Sequence, residues 1–395
     1  MNLRRLTSIL LSAVLISGAV PSSIKASASF PMPDISYSAK EAELSEIDIA
    51  PSFAKAASIQ EAGSQVRDFM ASKTPSFTVS IPRSSVSDPK TAHKYVLAEA
   101  LKETSKANEG DYIRYGWKKY DCTYSISTSA VTMTFDMQYY TTYQEETAVT
   151  NECRRILSSL GTGDMSDYDK IKTIYRYIAR NTSYADSISN QHVFTAYGAL
   201  IDHVAVCQGY SQLFYRMMRE SGIDCRIISG TSNNENHAWN IVKLGGIYYL
   251  MDVTWDSSLG NNSMIYFLRG SKDLDAVKPQ YPHVPEQQYD IIFEDFNSAQ
   301  FKAAYPTSEY KYVMSVGDVN GNGRTDAVDA SAILIYYAET SAGKSGNFDA
   351  NQKTAADVNK NKKTDAVDAS LVLGYYAASS AGYTGTITEY ITKTK

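Results

Sequence analysis

Three short segments carry side chains suited to acyl transfer. AVCQGYSQLF holds Cys207, NENHAWNIV holds His237 and YYLMDVTWD holds Asp252. A thiolate is a strong nucleophile, and an imidazole moves protons near neutral pH. A carboxylate bonded to one imidazole nitrogen leaves the other facing the sulfur. Cys207 is expected at a helix N-terminus, where the macrodipole and free N–H groups favour the thiolate. His237 is expected to open a strand, with Asp252 on the next strand across a Gly245-Gly246 turn. The two lie nearly equally far from that turn, so they read as cross-strand neighbours. Trp239 and Trp255 are expected to wall the cleft or the core, and Asp256 to serve as a turn or cap residue. His93, His192 and His283 show no partner pattern and are expected at the surface. No HExxH or CxxC zinc spacing occurs.

A second set of chemical groups is duplicated. DVNGNGRTDAVDASAILIYYA, from Asp318, and DVNKNKKTDAVDASLVLGYYA, from Asp357, agree at 15 of 21 positions with an offset of 39. Each begins with oxygen ligands at loop positions 1, 3, 5, 9 and 12. In the first these are Asp318, Asn320, Asn322, Asp326 and Asp329, with the carbonyl of Arg324 at position 7. In the second they are Asp357, Asn359, Asn361, Asp365 and Asp368, with the carbonyl of Lys363. Such alternation wraps a loop around one calcium ion, a hard cation that takes six to eight oxygens. A helix follows each loop, apolar at Ile333, Leu334 and Tyr337 and at Val372, Leu373 and Tyr376. In the second loop Lys362 replaces the position-6 glycine that permits the sharp turn, and Lys360, Lys362 and Lys363 set three positive charges against three Asp. That loop is expected to bind calcium more weakly than the first.

The elements that must position these groups are partly legible. Ile171, Ile174, Tyr175 and Ile178 lie at helical spacing over 167–181, behind a Ser166 or Asp167 cap. Residues 207–221 read as a helix ended by Gly222, and 223–230, 237–244 and 246–254 as strands, so an α+β plan follows. Residues 119–143 alternate as further strands, and 92–108 read as a helix. Residues 29–90, rich in Ser, Ala and Pro, read as a weakly ordered leader with one short helix near 60–72. Residues 1–28 read as a secretory signal peptide: Arg4 and Arg5, an apolar run from Leu6 to Val20, then an Ala26-Ser27-Ala28 cleavage site. Residues 91–310 then form the main domain, with its core at 165–260. Residues 300–316 form the boundary, 314–380 the repeat module and 381–395 a tail. The formal charge of -5 gives no basic footprint for nucleic acid, and no later run is apolar enough to span a membrane. The four cysteines allow at most one bridge once Cys207 is reserved as a free thiol. Cys122–Cys153 is the candidate, with Cys225 buried.

VCQGY, HAWN and DVTWD, in that order over roughly 165–260, resemble the transglutaminase-like superfamily, which shares its core with papain-type enzymes. The helix 169–181 and Tyr197-Gly198-Ala199-Leu200 resemble its secreted bacterial branch. The resemblance implies Cys207 as nucleophile, His237 as general base and acid, and Asp252 as the residue orienting the imidazole. The backbone N–H of Cys207 would contribute to an oxyanion hole, with Gln208, Tyr197 and His203 as candidates for the second donor. The repeats resemble a small all-α type I dockerin over about 314–380: position 12 is Asp rather than Glu, and no helix enters before Asp318. That implies a cohesin domain of a scaffoldin as partner, and hence a secreted, cellulosome-associated protein. By the same resemblance Ala327/Val328 and Ala366/Val367, at loop positions 10 and 11, would help contact the cohesin. The expected function is a cysteine acyl-transfer enzyme acting on peptide or protein amides through a thioester. Hydrolysis is favoured because water is the most abundant acceptor and no amine site is legible. The alternatives are a cross-linking transglutaminase and a non-catalytic module displayed on a scaffold. No cofactor is expected for catalysis.

Overall fold

The structure, a computed structural model, describes residues 36–260, 263–286 and 294–394. The proposed signal peptide lies outside them. Five strands, β1 (Ser36–Glu41), β2 (Phe53–Lys55), β3 (Ser76–Pro82), β4 (Trp117–Ile126) and β5 (Ala130–Tyr139), form one sheet in the order β1-β4-β5-β3-β2. Phe77, Val79, Tyr120, Met133 and Phe135 bury against Val66 and Met70 of helix α1 (Ile59–Ala71) and Val96 and Leu97 of α2 (Ala92–Ala100). The weak order expected over 29–90 is therefore corrected from Ser36 onward. Its Ser and Thr residues belong to a sheet, where Thr78 bonds Thr134 at 2.7 Å and Ser80 bonds Thr132 at 3.1 Å. Composition misled because period-two strands intersperse these polar positions with buried ones.

A short helix α3 (Asp111–Arg114) fastens this sheet to the central domain. The Asp111 carboxylate accepts two bonds from the Arg226 guanidinium, at 2.8 and 3.1 Å, and one from the backbone N–H of Ile227 at 2.8 Å. Both side chains are buried. The opposite charges and hydrogen bonds of Arg226 and Arg114 outweigh the burial that would otherwise protonate Asp111, and its carboxyl stays below the usual range.

The central domain follows as α4 (Tyr143–Ser159), α5 (Asp167–Asn181), the parallel pair β6 (Ser183–Tyr184) and β7 (Val204–Ala205), and α6 (Cys207–Glu220). A second sheet comprises β8 (Cys225–Ser232), β9 (Glu235–Leu244), β10 (Ile247–Met251) and, after α7 (Val253–Leu259), β11 (Val284–Pro285), in the order β10-β9-β8-β11. A helix α8 (Ala299–Ala304) comes next. The Gly245-Gly246 turn joins β9 to β10 with Leu244 opposite Ile247. Helix α6 is buried from Cys207 to Met218, packed between α5 and the sheet. All four cysteines are free. The Cys122–Cys153 bridge is thus corrected: Cys122 sits in the core of the first sheet and Cys153 in that of the central domain.

The C-terminal module consists of α9 (Ala327–Ser341), α10 (Ala350–Ala356), α11 (Ala366–Ser380) and α12 (Ile387–Thr394), with Ile333 and Val372 buried in a common core. The tail expected at 381–395 forms α12, whose Ile387 and Ile391 are buried at i, i+4 spacing. The boundary expected at 300–316 is packed rather than free. Tyr312 lies against Tyr168 with ring centroids 5.5 Å apart, and Met314 is buried. Tyr168 also donates to Asp349 at 2.7 Å, and Lys172 to Gln352 at 2.7 Å. One hydrophobic cluster therefore runs from α5 and α6 into the repeats.

Candidate active site and calcium loops

Cys207 occupies the first position of α6, after an extended Val206. His237 stands on β9 opposite Gly230 of β8. Its Nε2 lies 2.8 Å from Asp252 Oδ2, and the neighbouring Cys207 also favours its charged form. The expected pairing of His237 with Asp252 is present. The route to it differs for Asp252, because Met251 pairs with Asn240 and β10 ends there. Asp252 is instead the N-cap of α7, its Oδ1 accepting from the Trp255 N–H at 3.0 Å. A cap holds a carboxylate more firmly than a strand position would, because one oxygen is fixed by the helix it starts. The Asp252 carbonyl accepts from Tyr175 at 2.8 Å, so α5 braces the cap from behind.

Electrostatics follow from burial and pairing. Burial opposes the imidazolium of His237, but the Asp252 carboxylate and the partnership with Cys207 outweigh it and push the pKa up to about 10. Burial likewise opposes ionisation of Asp252, yet His237 and His283 hold its carboxyl well below the usual range. The arrangement favours an imidazolium at His237. Burial pushes the other thiols up, Cys153 to about 12, so those of Cys122, Cys153 and Cys225 stay protonated at neutral pH.

His283 is the residue that sequence reasoning missed. Expected at the surface, it is buried. Its Nε2 lies 3.1 Å from Asp252 Oδ2 and its Nδ1 2.6 Å from Asp275 Oδ1. It immediately precedes β11, which lies so close to β8 that a side chain at Gly230 would meet the Val284 carbonyl at 2.0 Å. His93 is corrected too: it is buried under the first sheet, with its ring against Tyr124 at 6.1 Å. His192 is only half exposed, between Glu145 and Asp202. Trp239 is buried and Trp255 half-buried, and both rings lie within 6 Å of His237, at 5.9 and 5.5 Å, as expected of cleft walls. Asp256, expected as a turn or cap residue, lies in the first turn of α7. It is a buried acceptor for Tyr175, Ser263, Ile265 and Tyr266. Gln208 is committed elsewhere, donating to the carbonyls of Tyr115 and Phe194 at 2.9 and 3.1 Å, and exposed His203 sits 3.0 Å from the Asn181 carbonyl. The motif asparagine Asn240 ties β9 to α6 through the Ser211 carbonyl at 3.1 Å. Ligand atoms of His237, Asp252 and His283 lie within 4.8 Å of one another, a donor set that could take a transition metal, although each is already hydrogen-bonded.

The two calcium loops have closely matching internal bonding. Asp318 Oδ2 accepts from Gly323 N–H and Asp357 Oδ2 from Lys362 N–H, both at 2.9 Å. Asn322 Oδ1 accepts from Arg324 and Asn361 Oδ1 from Lys363, both at 2.8 Å. Asp329 and Asp368 each reach back to cap the following helix, which suits the shorter Asp at position 12. No cation of the chain pairs with Asp318, Asp329, Asp357 or Asp368 among the described ion pairs. Burial raises Asp329 to about 6, with Asp318 adding to it. Buried carboxylates without a counter-charge, in an all-oxygen donor set, fit a hard divalent cation. The loops differ in backbone ease. Positions 4 and 6 are left-handed in both, occupied by Gly321 and Gly323 in the first and by Lys360 (φ 62°) and Lys362 (φ 67°) in the second.

Comparison with known proteins matches residues 154–253 to the transglutaminase-like superfamily and residues 316–375 to the dockerin type I domain. The kyphoscoliosis peptidase of Homo sapiens is 25% identical over 196 residues, covering 43% of this chain and 28% of that protein. Its Mus musculus counterpart is 28% identical over 129 residues, covering 29% and 20%. The chain thus spans less than a third of either relative. A solved structure described as a TGase aligns over 45% of this chain and 60% of its own at 13% identity, with a TM-score of 0.26. No helix among the described residues is long and apolar enough to cross a membrane.

Proposed function

We propose that this chain, which carries a transglutaminase-like core and a type I dockerin domain, is a secreted cellulosomal cysteine enzyme that hydrolyses peptide or protein amides. The observation that carries the reading is His237 paired with Asp252 at 2.8 Å, with Cys207 at the start of α6 also favouring the charged imidazole. The Cys207 thiolate attacks the amide carbonyl, and charge develops on an oxyanion beside the N-terminus of α6. His237 gives its proton to the departing amine, leaving a thioester on Cys207. The now neutral imidazole takes a proton from water as it attacks, and the thiolate leaves with the acid released. Asp252 fixes the ring so that one nitrogen always faces the sulfur.

The dockerin supplies the address rather than the chemistry. Val328 and Val367 are 61% and 56% exposed at equivalent places in the two repeats, an apolar pair suited to a cohesin face. Calcium would be held by Asp318, Asn320, Asn322, Asp326, Asp329 and the Arg324 carbonyl. The second loop would use Asp357, Asn359, Asn361, Asp365, Asp368 and the Lys363 carbonyl. Bound there, it would neutralise the clustered carboxylates and fix the loops that start α9 and α11.

The full chain incubated with a peptide library, with and without a primary amine, tests the reading by product mass. Cleavage or deamidation that disappears in Cys207→Ala is the expected result. Amine incorporation in preference to water would make it a cross-linking enzyme. No mass change, together with a Cys207 inert to iodoacetamide, would leave a displayed binding module.

A further inference from the structure

We infer that His283 is a positioning residue that keeps Asp252 ionised and aimed while the His237 proton comes and goes. The inference rests on the proposed Cys207–His237–Asp252 reading and extends it by one imidazole. Both ring nitrogens of His283 face carboxylates, Asp252 at 3.1 Å and Asp275 at 2.6 Å. An ionised carboxylate only accepts, so the His283 Nε2–H donating to Asp252 Oδ2 favours the ionised form of that carboxyl, while the Asp275 contact fixes the other side of the ring. The groups facing it are Asp252 at the cap of α7, His237 on β9, Asp275 on the preceding turn and the Tyr266 ring. The ring is walled by Trp255 at 4.7 Å and Trp239 at 5.1 Å, and its side chain is 1% exposed.

The need for such a residue follows from the mechanism. Asp252 is buried, and its Oδ2 is shared by the two imidazoles. When His237 has protonated the departing amine, it is neutral and no longer balances that carboxylate. A buried carboxylate without a counter-charge takes up a proton or turns toward another donor, and either disorients His237. His283 is not on the proton path, so its hydrogen bond to Asp252 stays in place through both half-reactions. Asp275, on the solvent side, holds the ring from behind.

The test is the rate at which iodoacetamide alkylates Cys207 in the full chain, followed by peptide mass from pH 5 to 10. His283→Ala is expected to lower the plateau rate roughly tenfold, the scale on which groups orienting a functional imidazole act, and to move the acid limb to higher pH. His283→Gln, a neutral donor toward Asp252, restores much of the plateau but leaves the acid limb displaced. Asp275→Asn shifts the limb in the same direction by less and covers the case in which His283→Ala fails to fold. Wild-type rates and an unmoved profile in His283→Gln and Asp275→Asn, with His237→Ala slowed, would overturn the inference alone. Unslowed alkylation in His237→Ala would overturn the catalytic reading and this inference with it.

Discussion

Cys207, His237, Asp252 and His283 come from a helix N-terminus, a strand, a helix cap and an edge strap, whereas Asp318 to Asp329 gather their oxygens within one loop. The contrast teaches where each site stores its precision. In the loops, neighbouring residues bond one another, so geometry is local and is copied whenever the sequence is copied. In the catalytic cluster each side chain is placed by a different packing contact: Tyr175 beneath Asp252, Asn240 against α6, β11 against β8. The active site should therefore be sensitive to distant damage, and the loops to changes in their own backbone.

The largest effect is expected from Asp252→Asn. Asparagine still caps α7 but cannot serve as a charged acceptor for His237, so turnover should fall roughly 10⁴-fold, as when the orienting carboxylate of a triad is lost. Calcium affinity, measured by titration calorimetry, should not change, and a change would break the separation of the two sites. Next comes Asp111→Ala, well away from the thiol. It removes the buried bidentate partner of Arg226, leaving that guanidinium only Glu103 and Glu294, and should cost about 3 kcal/mol. Urea unfolding checks it, and a wild-type midpoint would mean that the first sheet does not brace the catalytic core.

The His237–Asp252 pair also predicts a pH dependence. The His237 pKa is raised in the folded state, so its stabilisation is complete below the unfolded imidazole value of about 6.5. It is lost as pH rises toward about 10. The stability difference between wild type and His237→Gln should shrink across that window, and a difference that grew would contradict the imidazolium. The smallest effect concerns the loops. A non-glycine residue in the left-handed region costs roughly 1 kcal/mol, so Lys360→Gly with Lys362→Gly, about 2 kcal/mol together, should tighten calcium at the second loop by about thirtyfold while the first stays unchanged.

Much of the local structure was readable because it rests on short-range rules. The 3.6-residue spacing and Ser166 cap of α5, the glycine turn of the β9–β10 hairpin and the ligand spacing of the loops all lie within a few residues of one another. The first sheet was not readable from Ser36 to Pro82, since β1 and β2 pair in parallel with distant strands and gain their stability from those partners. His283 gave no signal, because nothing in YPHVPE shows that it will meet a carboxylate 31 positions upstream.

The amino-acid sequence by itself determined the chemistry available: a thiol, an imidazole and a carboxylate in family order, and two loops of oxygen ligands at calcium spacing. Only the tertiary structure decided that Asp252 acts from a helix cap rather than a strand. Only there does a second imidazole share its oxygen, and only there does the C-terminal module pack against α5. Spacing along a chain specifies contacts among near neighbours, whereas contacts between remote segments are chosen by which packed arrangement leaves the fewest buried charges and donors unpaired.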